Sequence, residues 1–324
     1  MKHNLKITII LLSMFVITQL IGIYVVNFYS PVKILNGEAT NISAPELPFG
    51  LETPELKEKS EFNYAFVSII FAFMIAVSLL LFLTRLNAEF FLKLWFFLVI
   101  IISLVIALNV FAYQIGFFSY KINLFSRTFP ISWLIALGIS LPLAYIKIYR
   151  RKFFVHNLTE LLVYPGIAAV FIPILNIYTI SLLLILISLY DAWAVWHSGI
   201  MQKMAKYQIN QLNIFSGFFI PYVSKKVKMQ MIKMKGSSNS RKSKSKKIRV
   251  NIAILGGGDV VFPIIASGVM LKTLGLLPAL LVALGATFGL GYLFFFAEKR
   301  KFYPAMPFIT TGIFLGIAAG YLLG

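Results

Sequence analysis

Residues 187–196 read ISLYDAWAVW, and residues 251–262 read NIAILGGGDVVF. Each stretch sets one aspartate, Asp191 or Asp259, in an otherwise apolar run, and the chain contains no other Asp. In a soluble protein, such runs would be core segments interrupted by a charge. In a bilayer they are spanning helices, each carrying a carboxylate at a cost of about 2.5–3.5 kcal/mol on insertion scales. A group that costly is a functional candidate by default. The reading of both stretches therefore depends on whether lipid is the solvent.

Composition answers that question. Of 324 residues, 59% are hydrophobic and only 13% charged, with a mean hydropathy of +0.86. Soluble domains lie near half apolar and a quarter charged. Too little polar surface remains to cover a soluble fold, whereas lipid accepts apolar outer faces. Cysteine is absent, which excludes disulfides and thiol chemistry. His3, His156 and His197 are scattered without metal-ligand spacing, so neither zinc catalysis nor any cofactor is expected.

A hydrocarbon core of about 30 Å needs roughly 20 apolar residues in a helix. Nine stretches meet that length or approach it: 7–28, 63–84, 90–113, 128–149, 158–172, 175–196, 251–270, 274–297 and 304–323. The fifth is short and carries Glu160 and Pro165. The first is too long for a signal-peptide core and lacks a small-residue cleavage site, so it reads as a retained helix.

Charge orients the spans. The formal net charge is +19, and residues 198–250 alone hold thirteen Lys or Arg and no acid. Basic segments also precede the first span (Lys2, Lys6) and follow the second (Arg85), fourth (Lys147, Arg150, Arg151, Lys152) and eighth (Lys299, Arg300, Lys301). Residues 29–62 hold six Glu against three Lys. Nine spans put every strongly basic segment on one side, with the N-terminus cytoplasmic and the C-terminus outside. The basic core SSNSRKSKSKKIR (237–249) has no aromatic residue to stack on a base. It reads as a segment lying against anionic lipid and not as a nucleic-acid site.

Three parts follow: 1–197 with six helices and Asp191, a basic and partly disordered cytoplasmic loop at 198–250, and 251–324 with three helices and Asp259. The loop keeps apolar residues between 201 and 235, among them Ile214, Phe215, Phe218 and Phe219. These suit a surface-lying helix or a strand that pairs with an extended substrate. An inert connector remains the plainer reading of 236–247.

Asp191 lies six residues before His197, about 9 Å along a helix, and Asp259 lies ten after Arg249, about 15 Å. The two helices are consecutive and antiparallel, so the carboxylates can face each other at similar depth. Two carboxylates at close range do not both ionise readily, and they share one proton. The ionised member can take a proton from water while the protonated member polarises a peptide carbonyl. The roles can exchange, so none is assigned. The bland alternative is two polar contacts between helices. Gly256, Gly257 and Gly258 leave room beside Asp259 for an extended peptide, or simply for close helix packing. Tyr190 could reach the pair or a substrate backbone, or be an interfacial aromatic like Trp193 and Trp196. Glu160 is expected at the inner interface near Lys152, and Gln19, Asn109 and Asn176 at interhelical contacts or span ends.

Tyr190-Asp191 and Gly256-Gly257-Gly258-Asp259 resemble the YD and GxGD motifs of presenilins and signal peptide peptidases. Pro304-Ala305-Met306-Pro307 opens the ninth span, where that family carries its PAL motif. The resemblance extends to helix count, motif order and the long loop between the aspartate helices. It implies a nine-helix presenilin-like bundle in the cell membrane. It implies an aspartic endopeptidase that cuts transmembrane segments or remnant signal peptides within the bilayer, with no obligate protein partner. It carries Asp191 and Asp259 over as the catalytic pair, with Pro304 and Ala305 shaping the site. Met306 departs from the usual Leu, which bears on substrate preference. Pro304 and Pro307 alone would mean no more than helix initiation.

The alternative is a proton- or cation-coupled transporter or channel using the two aspartates. Carriers are often built from inverted repeats, and residues 1–150 contain no second GGGD region. A prepilin-peptidase type of GxGD protease would have a shorter bundle. A silent membrane scaffold is separated from both by activity alone.

Overall fold

The computed structural model describes residues 5–30, 32–35, 38–41, 45–51, 58–86, 88–115, 121–124, 127–150, 152–198, 216–222, 251–297 and 303–323. Among these residues, nine helices are long and apolar enough to cross a bilayer. They are α1 (Leu5–Tyr29), α2 (Lys59–Arg85), α3 (Glu89–Gln114), α4 (Ile131–Tyr145), α5 (Phe153–Phe171), α6 (Ile177–Trp193), α7 (Gly257–Leu274), α8 (Leu276–Phe296) and α9 (Met306–Leu323). Helices α4 and α6 run on through π turns at Ile146–Arg150 and Ala194–Ser198, and α5 ends in a 3-10 turn at Ile172–Ile174.

The outer faces of the bundle are apolar, unlike those of a soluble protein. Phe71, Phe288 and Phe296 are 68, 76 and 69% exposed, which only an apolar solvent tolerates. Lipid gives helices no hydrophobic reason to associate, so close packing and internal polar contacts must do so. Glycines supply the closest approaches. Gly285 and Gly289 of α8 face Gly312 and Gly316 of α9, two small-xxx-small pairs in backbone contact. A Cβ on Gly285 would lie 2.1 Å from the Gly312 carbonyl oxygen. Gly166 of α5 meets the Ser103 backbone of α3 in the same way.

Two main packed regions result, with a third joining α1, α3 and α5 around Val25, Ile106 and Ala169. The larger joins α1, α5, α6, α7, α8 and α9 around Leu11, Phe15, Leu184, Ile264, Val282 and Ile309. The smaller joins α3, α4 and α5 around Leu104, Ala136 and Val163. Helix α2 stands at the edge, and Phe66 alone is buried among its described side chains. Polar residues behave as their positions suggested. Gln19 Nε2 donates to the Val260 carbonyl (3.1 Å) and Asn109 Nδ2 to the Tyr29 hydroxyl (2.9 Å), both between helices. Asn176 caps α6 in a reciprocal pair with Thr179.

Three antiparallel hairpins accompany the helices: β1–β2 (Val32–Leu35, Glu38–Asn41), β3–β4 (Lys121–Leu124, Arg127–Pro130) and β5–β6 (Gly217–Tyr222, Asn251–Gly256). The third corrects the expected seventh span. Residues 251–256 form a strand and the helix begins only at Gly257. Ile252 and Ile254 favour a strand, three successive glycines disfavour a helix, and β5 supplies the pairing edge. Strand β5 lies within the segment expected as a loop, and residues 199–215 and 223–250 lie outside the described residues.

Candidate active site

Asp191 and Asp259 come within electrostatic reach of each other at one end of the bundle. Asp191 is in the last turn of α6 and Asp259 in the first turn of α7. The sequence-based ruler of ten helical residues from Arg249 fails, since 251–256 is strand, yet the antiparallel helices still bring the two carboxylates to one end. There the Asp191 charge acts on Asp259.

Each carboxylate is also held at a helix N-terminus. The Met306 amide, first in α9, donates to Asp191 Oδ2 at 3.0 Å, and the Ala305 amide faces the same carboxylate. One turn along, Ser188 Oγ donates to Thr310 Oγ1 at 2.7 Å, so α6 and α9 are joined at two levels. Asp259 is the third residue of α7 and turns back toward the amide of Gly256, which precedes the helix. These are orphan donors at the positive ends of two helix dipoles, and both favour negative charge. Mutual repulsion opposes two negative charges together. Asp191 is buried and Asp259 partly exposed.

The motif glycines are not equivalent. A Cβ on Gly257 would lie 2.9 Å from Ser216 Oγ and 3.0 Å from Tyr164 Cε1 and Oη, so any side chain there forces the Ser216 hydroxyl and the Tyr164 ring to shift. A Cβ on Gly256 would come within 3.1 Å of Asp259 Oδ2. Gly258 is exposed, with its nearest neighbour, Phe262, at 3.8 Å. Space beside the aspartates is therefore open at Gly258 and filled at Gly257. Pro304 is buried, Ala305 packs on the larger core, and the Met306 side chain lies in it at 3% exposure. The contact from residue 306 to Asp191 is through backbone and does not depend on Met or Leu. The Tyr190 ring lies edge-on to Phe73 of α2 (6.3 Å) and beside Trp193 (6.4 Å).

Sequence reasoning missed a buried polar cluster on α5. Lys147 Nζ pairs with Glu160 Oε1 at 3.0 Å, with side chains 4 and 1% exposed. The expected neighbour of Glu160 was Lys152, but the π turn after α4 carries Lys147 inward instead. His156 Nε2 lies 3.5 Å from the same Glu160 oxygen and 2.9 Å from the Gly217 carbonyl oxygen. The i, i+4 spacing of His156 and Glu160 was the available signal.

A family model described as signal-peptide peptidase, presenilin aspartyl protease matches residues 40–324. Two solved structures of a presenilin family intramembrane aspartate protease, in C222 and P2 space groups, superpose with TM-scores of 0.59 and 0.57. The first is 16% identical and covers 98% of this chain and 99% of its own; the second is 18% identical and covers 97% of each. At that identity they share the fold. Comparison with curated protein sequences gives no match.

Proposed function

The chain belongs to the signal-peptide peptidase and presenilin aspartyl protease family and is a multi-pass integral membrane protein; on that premise we propose that Asp191 and Asp259 together activate water to cleave peptide bonds of membrane-embedded helices. The observation that carries this reading is the convergence of the chain's two aspartates at the ends of α6 and α7, each against an N-terminal amide of a helix. The ionised carboxylate takes a proton from water as the oxygen attacks the scissile carbonyl, and the protonated carboxyl donates to the developing oxyanion. The proton taken from water then passes to the leaving nitrogen as the C–N bond breaks, and the proton given to the oxyanion returns to the dyad as the carbonyl re-forms. No covalent intermediate forms on the enzyme, and the dyad ends with one proton, as it began.

A helical peptide hides its amides, so the substrate must be extended before attack. Strand β6 runs directly into Gly256 and Asp259, and a third strand added along it would deliver an unwound segment to the dyad. The substrates are single-span proteins or remnant signal peptides, with the basic loop on anionic lipid and the N-terminus cytoplasmic.

The test is cleavage of a reconstituted single-span peptide by purified protein, beside Asp191→Asn and Asp259→Asn. Cleavage lost in both variants supports the dyad. Cleavage that survives either substitution rules it out.

A further inference from the structure

The buried cluster on α5 takes no part in the chemistry above, yet its polar atoms converge on one strand. Glu160 Oε1 accepts from the Gly217 amide at 3.3 Å, while His156 Nε2 faces the Gly217 carbonyl at 2.9 Å. Asn157 Nδ2 donates to the Phe219 carbonyl at 3.0 Å, and Asn157 Oδ1 accepts from the Phe219 amide at 3.2 Å. Both backbone groups of Gly217 and both of Phe219 are thus taken by side chains from a single helix.

Strand geometry explains the alternation. In an antiparallel ladder, successive residues send their N–H and C=O pairs to opposite edges. Gly217 and Phe219 point toward α5, so Phe218 and Ile220 point toward β6, where they face Leu255 and Ala253. On β6 the same rule turns Leu255 and Ala253 toward β5. It leaves Ile254 and Gly256 pointing to the outer edge. The Gly256 amide is turned to Asp259, and no strand pairs with that edge among the described residues. Ile254, 41% exposed, is the last residue before the motif whose backbone faces outward unclaimed by strand pairing.

The same helix face then continues to the motif. Tyr164, one further i+4 step beyond Glu160, packs its ring edge-on to Phe218 at 5.6 Å and lies against Gly257.

Resting on the protease reading, we infer that His156, Asn157 and Glu160 are positioning residues that act as a side-chain strand. They close the β5 edge and fix the hairpin register. An extended substrate then has one edge to join, that of β6 beside Asp259. Lys147 neutralises Glu160, whose charge would otherwise be buried alone. Without the closure, the hairpin slides or offers its wrong edge, and the scissile bond is no longer fixed relative to the dyad.

The experiment compares two double variants of the full chain in detergent, Lys147→Met with Glu160→Gln and Lys147→Met with Glu160→Leu. Both remove the buried charges, and only the first keeps an acceptor for the Gly217 amide. Asn157→Leu is the third variant. Readouts are product masses from a single-span peptide, kcat and KM separately, and amide hydrogen exchange over residues 217–222. The Gln variant is expected to keep the wild-type cleavage position. The Leu variant and Asn157→Leu are expected to spread cleavage over neighbouring bonds, lose about tenfold in kcat/KM and exchange faster at Gly217 or Phe219. A purely structural role would lower the active fraction without moving the products. Identical product patterns and exchange in the two double variants would overturn the inference. Failure of the protease reading looks different: wild-type protein would not cut, or Asp191→Asn would cut, while the exchange difference would persist.

Discussion

The Met306 amide and the Asp191 carboxylate meet at 3.0 Å, tying the first residue of α9 to the last turn of α6. Sequence places them 115 residues apart, and the Ala305 amide faces the same carboxylate. The contact serves folding and chemistry together: a buried helix start finds an acceptor, and a buried carboxylate finds a donor.

Asp191→Asn and Asp191→Ala therefore separate the two roles. Asn keeps an acceptor oxygen for Met306, and Ala leaves the amide buried and unpaired at a cost of about 1–3 kcal/mol. Both are expected to abolish cleavage. Thermal unfolding in detergent is expected to leave Asp191→Asn near wild type and to lower the midpoint of Asp191→Ala by several degrees. Equal midpoints would mean that the contact contributes nothing to stability.

Gly257 and Gly258 make a second comparison. A methyl at 257 collides with Tyr164 and Ser216, whereas one at 258 meets nothing closer than 3.8 Å. Overpacking typically costs about 1–3 kcal/mol. It would also push the first turn of α7, and Asp259 with it, by a fraction of an ångström or more. Misplacement on the scale of 1 Å costs up to about a hundredfold in rate. Gly257→Ala is expected to lose stability and most activity. Gly258→Ala is expected to retain the unfolding midpoint, so any activity it loses reports occupancy of the open space by substrate.

Much of this was legible from the chain. Lipid as solvent and the nine spans follow from composition and period, and the family follows from the short motifs at Tyr190-Asp191, Gly256 to Asp259 and Pro304 to Pro307. What misled was length measured in the wrong unit. Residues 251–256 are apolar enough for a helix, and only pairing with 217–222, earlier in the chain and amid a basic segment, makes them a strand. A single-sequence reading has no access to that pairing. Glu160 was recognised as unusual, but its partner depended on a π turn that rotates Lys147 inward. The distinction between Gly257 and Gly258 is purely tertiary, set by where Tyr164 lies.

The α8–α9 interface gives a prediction remote from the chemistry. A Cβ on Gly312 would lie 2.1 Å from the Gly285 carbonyl oxygen and 2.8 Å from its carbon, and backbone cannot rotate away. Gly312→Ala must separate the helices, which carries the start of α9 and Met306 away from Asp191. Lower thermal stability and reduced cleavage are expected together. Gly138→Ala in α4, with nothing within 4 Å, is the control and is expected to behave as wild type in both assays.

Lys272 is the one Lys in α7, and it reaches two other elements. It lies in the last turn, where a cation suits the helix dipole. Its Nζ donates to the Pro173 carbonyl at 3.3 Å and sits 5.5 Å from the Phe62 ring of α2. With Phe66, Ile69 and the Phe73–Tyr190 ring pair, this contact joins α2 to the bundle. Lys272→Met keeps the length and loses both interactions, at about 0.5–2 kcal/mol for the ring contact. Hydrogen exchange over the first turns of α2 is expected to quicken with α7 unchanged. Unaltered exchange in α2 would place its fastening elsewhere.

Ile254→Pro tests strand addition at a single backbone group. Alternation directs the Ile254 amide to the outer edge of β6, away from β5. Proline removes that N–H without breaking any β5–β6 hydrogen bond, and edge strands accept proline where the missing N–H faces outward. The hairpin is therefore expected to persist, seen as unchanged exchange at Phe218 and Ile220. Cleavage of a single-span peptide is expected to fall about tenfold or more in kcat/KM, chiefly through KM, because one hydrogen bond to the extended substrate is lost and the ring crowds its approach. Ile254→Val, which keeps the amide, is expected to cut at the wild-type rate. Full activity in the proline variant would mean that substrate reaches Asp259 without pairing along β6.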